Sequence, residues 1–249
     1  MSNKCKTTKC IPVNDERQSL NWPEPGRFTK NTSLDELKNI LQNQGNIVYS
    51  YVLTTISLNE NKFQQDGCGP NFQSECITLG TCKHLMRAGR APEDWKDVWI
   101  AGFTHSKIQS KKNYLLYLMQ VGKAYTSYSQ VWEEIGEKIR NVKNARYNPY
   151  GDVFEPKNAQ VSPELEASKK KRSFELYHEP IQGHKHNNED CKVWKSDIYK
   201  KYINRKNRPS ILIGNSQASF YWDTPMISYI GKSPRTKKHP VQDFLNLIE

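Results

Sequence analysis

Two acidic residues lie in polar, aromatic-rich segments of the chain that lack helical or strand periodicity. Asp152 follows Tyr150 and Gly151, and Asp190 lies among His, Asn and Glu residues. A carboxylate near C1′ of a deoxyribose stabilises an oxocarbenium-like transition state and can orient a water for cleavage of the glycosidic bond. Asp152 is therefore the candidate catalytic carboxylate. A structural role is the alternative, because a Tyr-Gly-Asp sequence often closes a turn.

A second group of residues has the chemistry of an anion site. Thr81 can cap a short helix, and the free N–H groups at a helix start can hold a phosphate. Lys83 and Arg87 are one helical turn apart, so both can contact one phosphate of a DNA backbone. Lys83 can alternatively act as an amine nucleophile. Lys111 and Lys112, in a Lys-rich turn, are predicted to contact the backbone as well. The alternative is a solvated basic face without a ligand.

The cysteine and histidine side chains are the candidate metal ligands of the chain. Four potential zinc ligands follow one another in one segment: Cys68, Cys76, Cys82 and His84. Their spacing contains no Cys-x-x-Cys pair, so it favours buried thiols over a zinc site. A reactive Cys82 thiolate at a helix start is a further alternative. His184 and His186 lie in a polar stretch and are predicted to be solvated, so the sequence predicts no metal and no other cofactor.

The overall charge indicates a polyanionic partner. The chain has 249 residues, with 37 Lys+Arg against 26 Asp+Glu and a net charge of +11. Such an excess attracts nucleic acid. No stretch of about 18 apolar residues is present to span a bilayer, and no apolar secretory signal follows the first residues. We therefore predict a cytoplasmic protein that contacts DNA, with no membrane contact and no obligate protein partner. Charge that serves solubility alone is the alternative.

The hydrophobic patterns predict an α+β domain. Ser33 and Glu36 form a capping box for a first helix. Segments 46–57, 97–104 and 113–126 are rich in β-branched and aromatic residues and predict three strands, the last two joined as a hairpin. Further predicted elements are a helix over 131–142 that begins at Ser127 or Ser129, strands at 210–214 and 219–222, and a terminal helix containing Phe244 and Ile248.

These elements predict one folded unit with an arm. Residues 1–30 contain three prolines and are predicted to be an extended N-terminal arm. Residues 31–249 are predicted to form a single domain with a polar loop insertion near 155–195. The expected architecture is a mixed, curved sheet, partly closed like a pseudo-barrel, with peripheral helices.

Several segments together resemble the second of the nucleotide modification associated domain families, which occur near phage and bacterial DNA-modification genes. The resemblance is carried by IVYSYVLTT, by GPNFQSECITLGTCKHLMRAG, and by DVWIAGFT leading into YLLYLMQVGKAYTSYSQVW. The family's Cys-x-Leu-x-x-Cys-Lys block corresponds to residues 76–83, with one residue inserted. Lys96 replaces the glycine of its Gly-Asp-Trp strand. Its later Gly-Asp segment resembles Gly151-Asp152, and Ser216 and Tyr221 match its closing strand block.

The resemblance implies DNA-modification biology. Proteins of this kind include anti-phage glycosylases that remove hypermodified cytosines, such as glucosylated hydroxymethylcytosine. The expected function is therefore a DNA glycosylase that flips and excises a modified base. A looser resemblance to pseudo-barrel modules of the PUA and EVE type supplies the alternative, a non-catalytic protein that recognises modified bases. The residues expected to contact the base are Asn71, Phe72, Cys76, Thr81, Tyr150, Ser216 and Tyr221.

Overall fold

The computed structural model describes residues 29–43, 47–181, 183–184, 194–198, 208–231 and 233–249. The predicted N-terminal arm lies outside the described residues, apart from Thr29–Lys30, which form the first strand. Asp190 and His186 also lie outside them. No helix in the described part of the chain has the length and apolar character needed to cross a membrane.

The strands and helices alternate irregularly along the chain. The strands are β1 Thr29–Lys30, β2 Ile47–Val52, β3 Ile56–Asn59, β4 Lys62–Gln65, β5 Thr78–Leu79, β6 Trp99–Phe103, β7 Leu115–Tyr125, β8 Ile211–Tyr221 and β9 Lys237–Pro240. The α-helices are α1 Leu34–Asn43, α2 His84–Arg87, α3 Tyr128–Glu134, α4 Glu137–Lys143, α5 Pro163–Lys169, α6 Trp194–Ile198 and α7 Val241–Leu245. Two 3₁₀ helices span Pro92–Trp95 and Lys170–Leu176.

Seven strands form one mixed sheet. Its order is β1-β8-β7-β6-β2-β9, and β5 pairs with β8 beside this path. The β1–β8 and β2–β6 pairs are parallel and the other pairs are antiparallel. Strands β3 and β4 form a separate hairpin. The α+β prediction with a mixed sheet is thus confirmed, whereas the described strands form an open sheet and do not show the predicted pseudo-barrel closure.

The predicted hairpin is present. Strands β6 and β7 pair antiparallel, as the two β-branched, aromatic segments indicate. All five residues of β6 are buried, which is typical of a strand that is covered on both faces. The two strands predicted near the C-terminus are instead one strand, β8. Its pairing with β7 contains register shifts, so the polar residues at its centre are accommodated by bulges.

The helix caps follow the local sequence. The backbone N–H of Glu36 donates to Ser33 Oγ, and that of Gln130 donates to Ser127 Oγ. The single helix predicted over 131–142 is wrong, because Gly136 has φ of +80° and separates α3 from α4. A positive φ costs a glycine little and ends a helix.

Three groups of buried side chains form the core. One group lies on the sheet face that carries Tyr51 and Tyr117, and a second packs α1 and α7 against the opposite face around Trp99. The third lies beside α3 and includes Tyr177 and Trp194. These two aromatic residues belong to the predicted polar insertion. Part of that insertion is therefore packed against the body, and it supplies one wall of the site described next.

Candidate functional site

Asp152 is a buried component of the fold. Its side chain has no exposed surface, and it accepts hydrogen bonds from Thr78 Oγ1 at 2.7 Å and from the Gly80 backbone N–H at 3.3 Å. Burial raises the pKa of this carboxyl, while nearby Lys143 lowers it. Asp152 is absent from the linings of four cavities in the described part of the chain. The predicted contact between Asp152 and a sugar therefore stays a prediction, since the carboxylate is buried and hydrogen-bonded within the fold. The carboxylate instead fixes β5 to the segment that follows α4.

Most of the residues predicted to contact a base belong to the same interior. The buried Lys143 ammonium donates to the backbone oxygen and to Oδ1 of Asn71, at 3.1 and 2.8 Å. Asn71 Nδ2 in turn donates to the Tyr150 carbonyl at 2.9 Å. Phe72, Tyr150 and Tyr221 are each at most 6% exposed. Their rings are core side chains in this structure, and the predicted contacts of these residues with a base stay a prediction.

Arg87 is engaged by backbone carbonyls rather than by solvent. Its guanidinium donates to the carbonyls of Cys82, Ser210 and Gly80 at 2.7, 2.5 and 2.6 Å. The side chain is 1% exposed. The predicted contact of Arg87 with a DNA phosphate stays a prediction, since these three carbonyls engage the guanidinium in this structure. Arg87 ties the start of β8 to the segment before α2.

The start of α2 also differs from the prediction. Lys83, with φ of 53°, is the residue that precedes the helix, and no side chain caps it. Thr81 Oγ1 instead donates to the Cys68 carbonyl at 2.7 Å. With four residues, α2 is too short to supply the predicted phosphate site at its N-terminus.

A cavity of about 270 Å³ lies between the start of β8, α3, α5 and α6, and we call it the basic cavity. It combines cationic, acidic and aromatic side chains. The exposed Lys170 and Lys171 and the half-buried Arg208 lie on it, while Glu166 is buried in its wall. The full lining is Gly80, Arg87, Thr126, Tyr128, Glu166, Ala167, Lys170, Lys171, Asp197, Ile198, Arg208, Pro209 and Ile211.

Glu166 is held in a fixed orientation. Its Oε1 accepts hydrogen bonds from the Tyr177 hydroxyl and from the backbone N–H and Oγ of Ser129. Its Oε2 faces the Arg208 guanidinium at 3.7 Å. Burial raises the pKa of Glu166, and the bond from Tyr177 and the charge of Arg208 act in the opposite direction. One carboxylate oxygen is thus anchored to the fold, and the other lies beside a cation at the cavity.

Gly80 links the basic cavity to the buried Asp152. The Gly80 carbonyl accepts hydrogen bonds from the Tyr128 hydroxyl at 2.7 Å and from Arg87. A Cβ at this position would lie 2.8 Å from the Asp152 carbonyl oxygen and 3.1 Å from Tyr128 Oη. Only glycine fits that space without a shift of the backbone. Asp152 therefore lies directly behind the cavity wall.

A second cavity, also about 270 Å³, contains Lys83, and we call it the Lys83 cavity. Its lining includes Thr81, Cys82 and Asp197. The Lys83 ammonium lies 4.9 Å from the centre of the Tyr51 ring, and burial lowers its pKa. Burial raises the pKa of Cys82 to about 11, which contradicts a reactive thiolate there. Lys83 and Asp152, the two predicted catalytic residues, do not share a cavity.

The remaining predicted residues lie elsewhere. Cys76 and Ser216 line a third cavity of about 360 Å³. Lys111 and Lys112 are exposed at the tip between β6 and β7, where Lys112 pairs with Glu249 at 2.8 Å. The basic cavity adjoins the opposite end of β7, and 11 residues at about 3.3 Å each span roughly 35 Å. The two lysines therefore lie too far away to flank a base bound in the basic cavity.

Sequence reasoning missed the charged residues of the basic cavity, namely Glu166, Lys170, Lys171 and Arg208. Lys170 and Lys171 belong to the charged run SKKKRS, and Glu166 precedes that run on α5. An acidic residue on a short helix that is capped by Ser162 and followed by lysines does not by itself indicate a cavity, so the sequence offers no specific signal for Glu166. No family model, no curated protein and no solved structure matches the chain.

Proposed function

We propose that this chain is a DNA glycosylase that receives an extruded, modified base in the basic cavity and cleaves its N-glycosidic bond. The observation that carries the proposal is the combination, in one cavity of about 270 Å³, of three accessible cations with a buried carboxylate. The substrate class, a hypermodified cytosine such as glucosylated hydroxymethylcytosine in phage DNA, follows from the family resemblance. On this proposal the protein acts in anti-phage defence.

The size and charge of the basic cavity suit one flipped nucleotide. Small-molecule pockets measure about 300–1,000 Å³, so a cavity of about 270 Å³ matches a single base better than a dinucleotide. Enzymes that act on a base in DNA take it out of the stack into such a pocket. Lys170 and Lys171 are exposed at the cavity and serve as the contacts for phosphates that flank the extruded base.

Glu166 replaces Asp152 as the catalytic carboxylate in this proposal. As the C1′–N bond breaks, its electron pair leaves with the base and positive charge develops at C1′ and the ring oxygen. The carboxylate stabilises that charge and accepts a proton from the water that forms the new C1′–O bond, while the departing base takes up a proton. Arg208, whose guanidinium lies 3.7 Å from Oε2, favours the ionised form of the carboxylate and so opposes the effect of burial on its pKa.

A non-catalytic protein that recognises modified bases is the second candidate. The observation that favours it is the engagement of Glu166 Oε1 by Ser129 and Tyr177. These bonds hold the start of α3 to α5 and give Glu166 a structural use that needs no chemistry. In this case the basic cavity binds the base and its carboxylate never reacts.

The test compares Glu166→Gln with Glu164→Gln on DNA that contains glucosylated hydroxymethylcytosine. Glu164 lies on the same helix but is exposed, so it is a matched control. Cleavage of the product by alkali reports abasic sites, and a gel-shift assay reports binding. General acid–base groups contribute about 10²–10⁴-fold, so Glu166→Gln should lose base release by that factor while it binds within a few-fold of wild type.

The outcomes separate the two candidates. Wild-type protein that retards the DNA and leaves every base in place supports the binding protein. Base release that survives in Glu166→Gln rejects the role of Glu166. A Lys83 nucleophile predicts an adduct trapped by borohydride, whereas the separate Lys83 cavity leads us to expect none. Equal affinity for modified and plain DNA would reject the proposal as a whole.

A further inference from the structure

Three buried side chains that can ligate a metal converge behind the Lys83 cavity. They are Cys68, His184 and Asp197, and one ligand atom of each lies within 4.8 Å of the others. Cys68 is in the loop after β4, His184 lies at the end of the polar insertion, and Asp197 is on α6. The fold thus gathers sulfur, nitrogen and oxygen donors from three distant segments. The prediction that His184 is solvated is wrong, because its side chain is fully buried.

A second imidazole lies on the other side of Asp197. His184 Nε2 is 3.1 Å from Asp197 Oδ2, and His84 Nε2 is 3.6 Å from Asp197 Oδ1. The His84 and Asp197 side chains are 7% and 1% exposed. The carboxylate is therefore flanked by two nitrogens in an interior from which water is largely excluded. Two imidazoles, one carboxylate and one thiol are the donor types found in zinc sites.

We propose that Cys68, His184 and Asp197 bind one Zn²⁺, with the fourth position open to water or to His84, whose Nε2 lies 3.6 Å from Asp197 Oδ1. Tetrahedral zinc with bonds of about 2.0–2.3 Å places its ligand atoms roughly 3.3–3.8 Å apart. The three ligand atoms already lie within 4.8 Å of one another, so no pair needs to close by more than about 1.5 Å. Zinc suits the set better than Mg²⁺ or Ca²⁺, because thiolate and imidazole are borderline-soft ligands.

The chemistry of burial supports a cation at this point. A cation stabilises a buried carboxylate, and a metal ion would supply one beside Asp197. A metal ion would also join the five-residue helix α6 to the loop at Cys68. The argument for zinc uses none of the observations on which the glycosylase proposal rests.

The test begins with the full-length wild-type chain, purified without chelators. Metal analysis should find one zinc per chain. Replacement of zinc by Co²⁺ should give the intense thiolate-to-cobalt charge-transfer band in the near ultraviolet and the visible bands of a tetrahedral site. Both spectroscopic signatures arise from coordination itself and do not depend on any catalytic activity.

Variants then assign the ligands. Cys68→Ser should abolish the charge-transfer band, and His184→Gln and Asp197→Asn should each weaken Co²⁺ binding by more than tenfold. Cys76→Ser is the matched control, because Cys76 is a buried thiol outside the cluster that lines the third cavity. It should retain both the zinc and the spectrum. His84→Gln should weaken binding less than the other three changes if water can take the fourth position.

The result that overturns the proposal does not depend on whether the variants fold. Wild-type protein that contains far less than one zinc per chain, and that gives no thiolate-to-cobalt band on titration with Co²⁺, rejects the site. A band that survives in Cys68→Ser but disappears in Cys76→Ser assigns the metal to a different thiol and equally rejects it.

Discussion

Asp152 and Glu166 are both buried carboxylates whose pKa is raised by burial, yet their surroundings differ. Both oxygens of Asp152 accept hydrogen bonds from β5 and its neighbour Gly80, and the nearby ammonium of Lys143 is itself held by Asn71. Only one oxygen of Glu166 is used in this way. Its other oxygen lies beside a half-buried arginine at a cavity. Access to a cavity, rather than burial or residue type, therefore distinguishes a catalytic candidate from a structural carboxylate.

Replacement of Asp152 tests whether this residue is structural, and it should cause the greatest loss of stability among these variants. Asp152→Ala should lower the free energy of unfolding by about 3 kcal/mol, because it leaves Lys143 buried without its countercharge and Thr78 without an acceptor. Urea unfolding measures the change, with the exposed Asp94→Ala as the control. A loss below about 1 kcal/mol would show that the interior tolerates the change and would remove the contrast between the two carboxylates.

A smaller loss of stability is expected where the two carboxylate regions meet, at Gly80. Gly80→Ala should destabilise the protein by about 1–3 kcal/mol, because the new Cβ lies 2.8 Å from the Asp152 carbonyl oxygen. Gly122→Ala is the control, since its nearest contacts are 3.4 Å away. Thermal or urea unfolding of both variants gives the comparison. Equal effects in the two variants would mean that Gly80 is not sterically constrained.

The pH dependence of stability tests whether burial raises the pKa of Glu166. Because its folded-state pKa is raised above 4.5, the folded state holds more protons than the unfolded chain from about pH 4.5 up to the raised pKa. The wild type should therefore lose stability relative to Glu166→Gln as the pH rises through that window, by at most about 1.4 kcal/mol per pH unit, and then level off. Unfolding at a series of pH values measures the difference. If the wild type instead gains stability relative to Glu166→Gln as the pH rises through that window, the raised pKa of Glu166 is contradicted.

The last prediction concerns the salt dependence of DNA binding, for which lysine changes in the basic cavity and at the hairpin tip are compared. It should be the weakest of the effects. Replacing Lys170 and Lys171 by Gln should reduce the slope of log K against log salt concentration by about 1.8, at about 0.9 for each lost phosphate contact. Binding titrations on modified DNA at several salt concentrations measure the slope. The double Gln variant of Lys111 and Lys112 should leave it unchanged. The opposite pattern would place the DNA at the hairpin tip, as the sequence predicted.

Much of the local structure could be predicted from the sequence. The Ser33 and Ser127 caps and the β6–β7 hairpin depend on residues close together in the chain, and all are present. The parallel pairing of β2 with β6 and the single long strand β8 depend on long-range contacts and bulges. The alternation of polar and apolar residues along a strand carries no information about such long-range contacts and bulges.

The candidate site was less predictable, for a related reason. Residues of the segment 80–87, which the sequence indicates as an anion site, line two cavities. The direction in which each side chain points could not be predicted, because Arg87 is held by Ser210, 123 residues further along the chain. Glu166 was missed because a charged residue on a short helix gives no sequence signal for the cavity that α5 meets in the fold.

Asp197 forms part of the wall of both cavities. A shared wall is a thermodynamic link: whatever neutralises or moves this carboxylate from one side changes the affinity on the other, and by the same factor in both directions. A ligand that contacts Asp197 in one chamber should therefore also alter the binding of a ligand in the other.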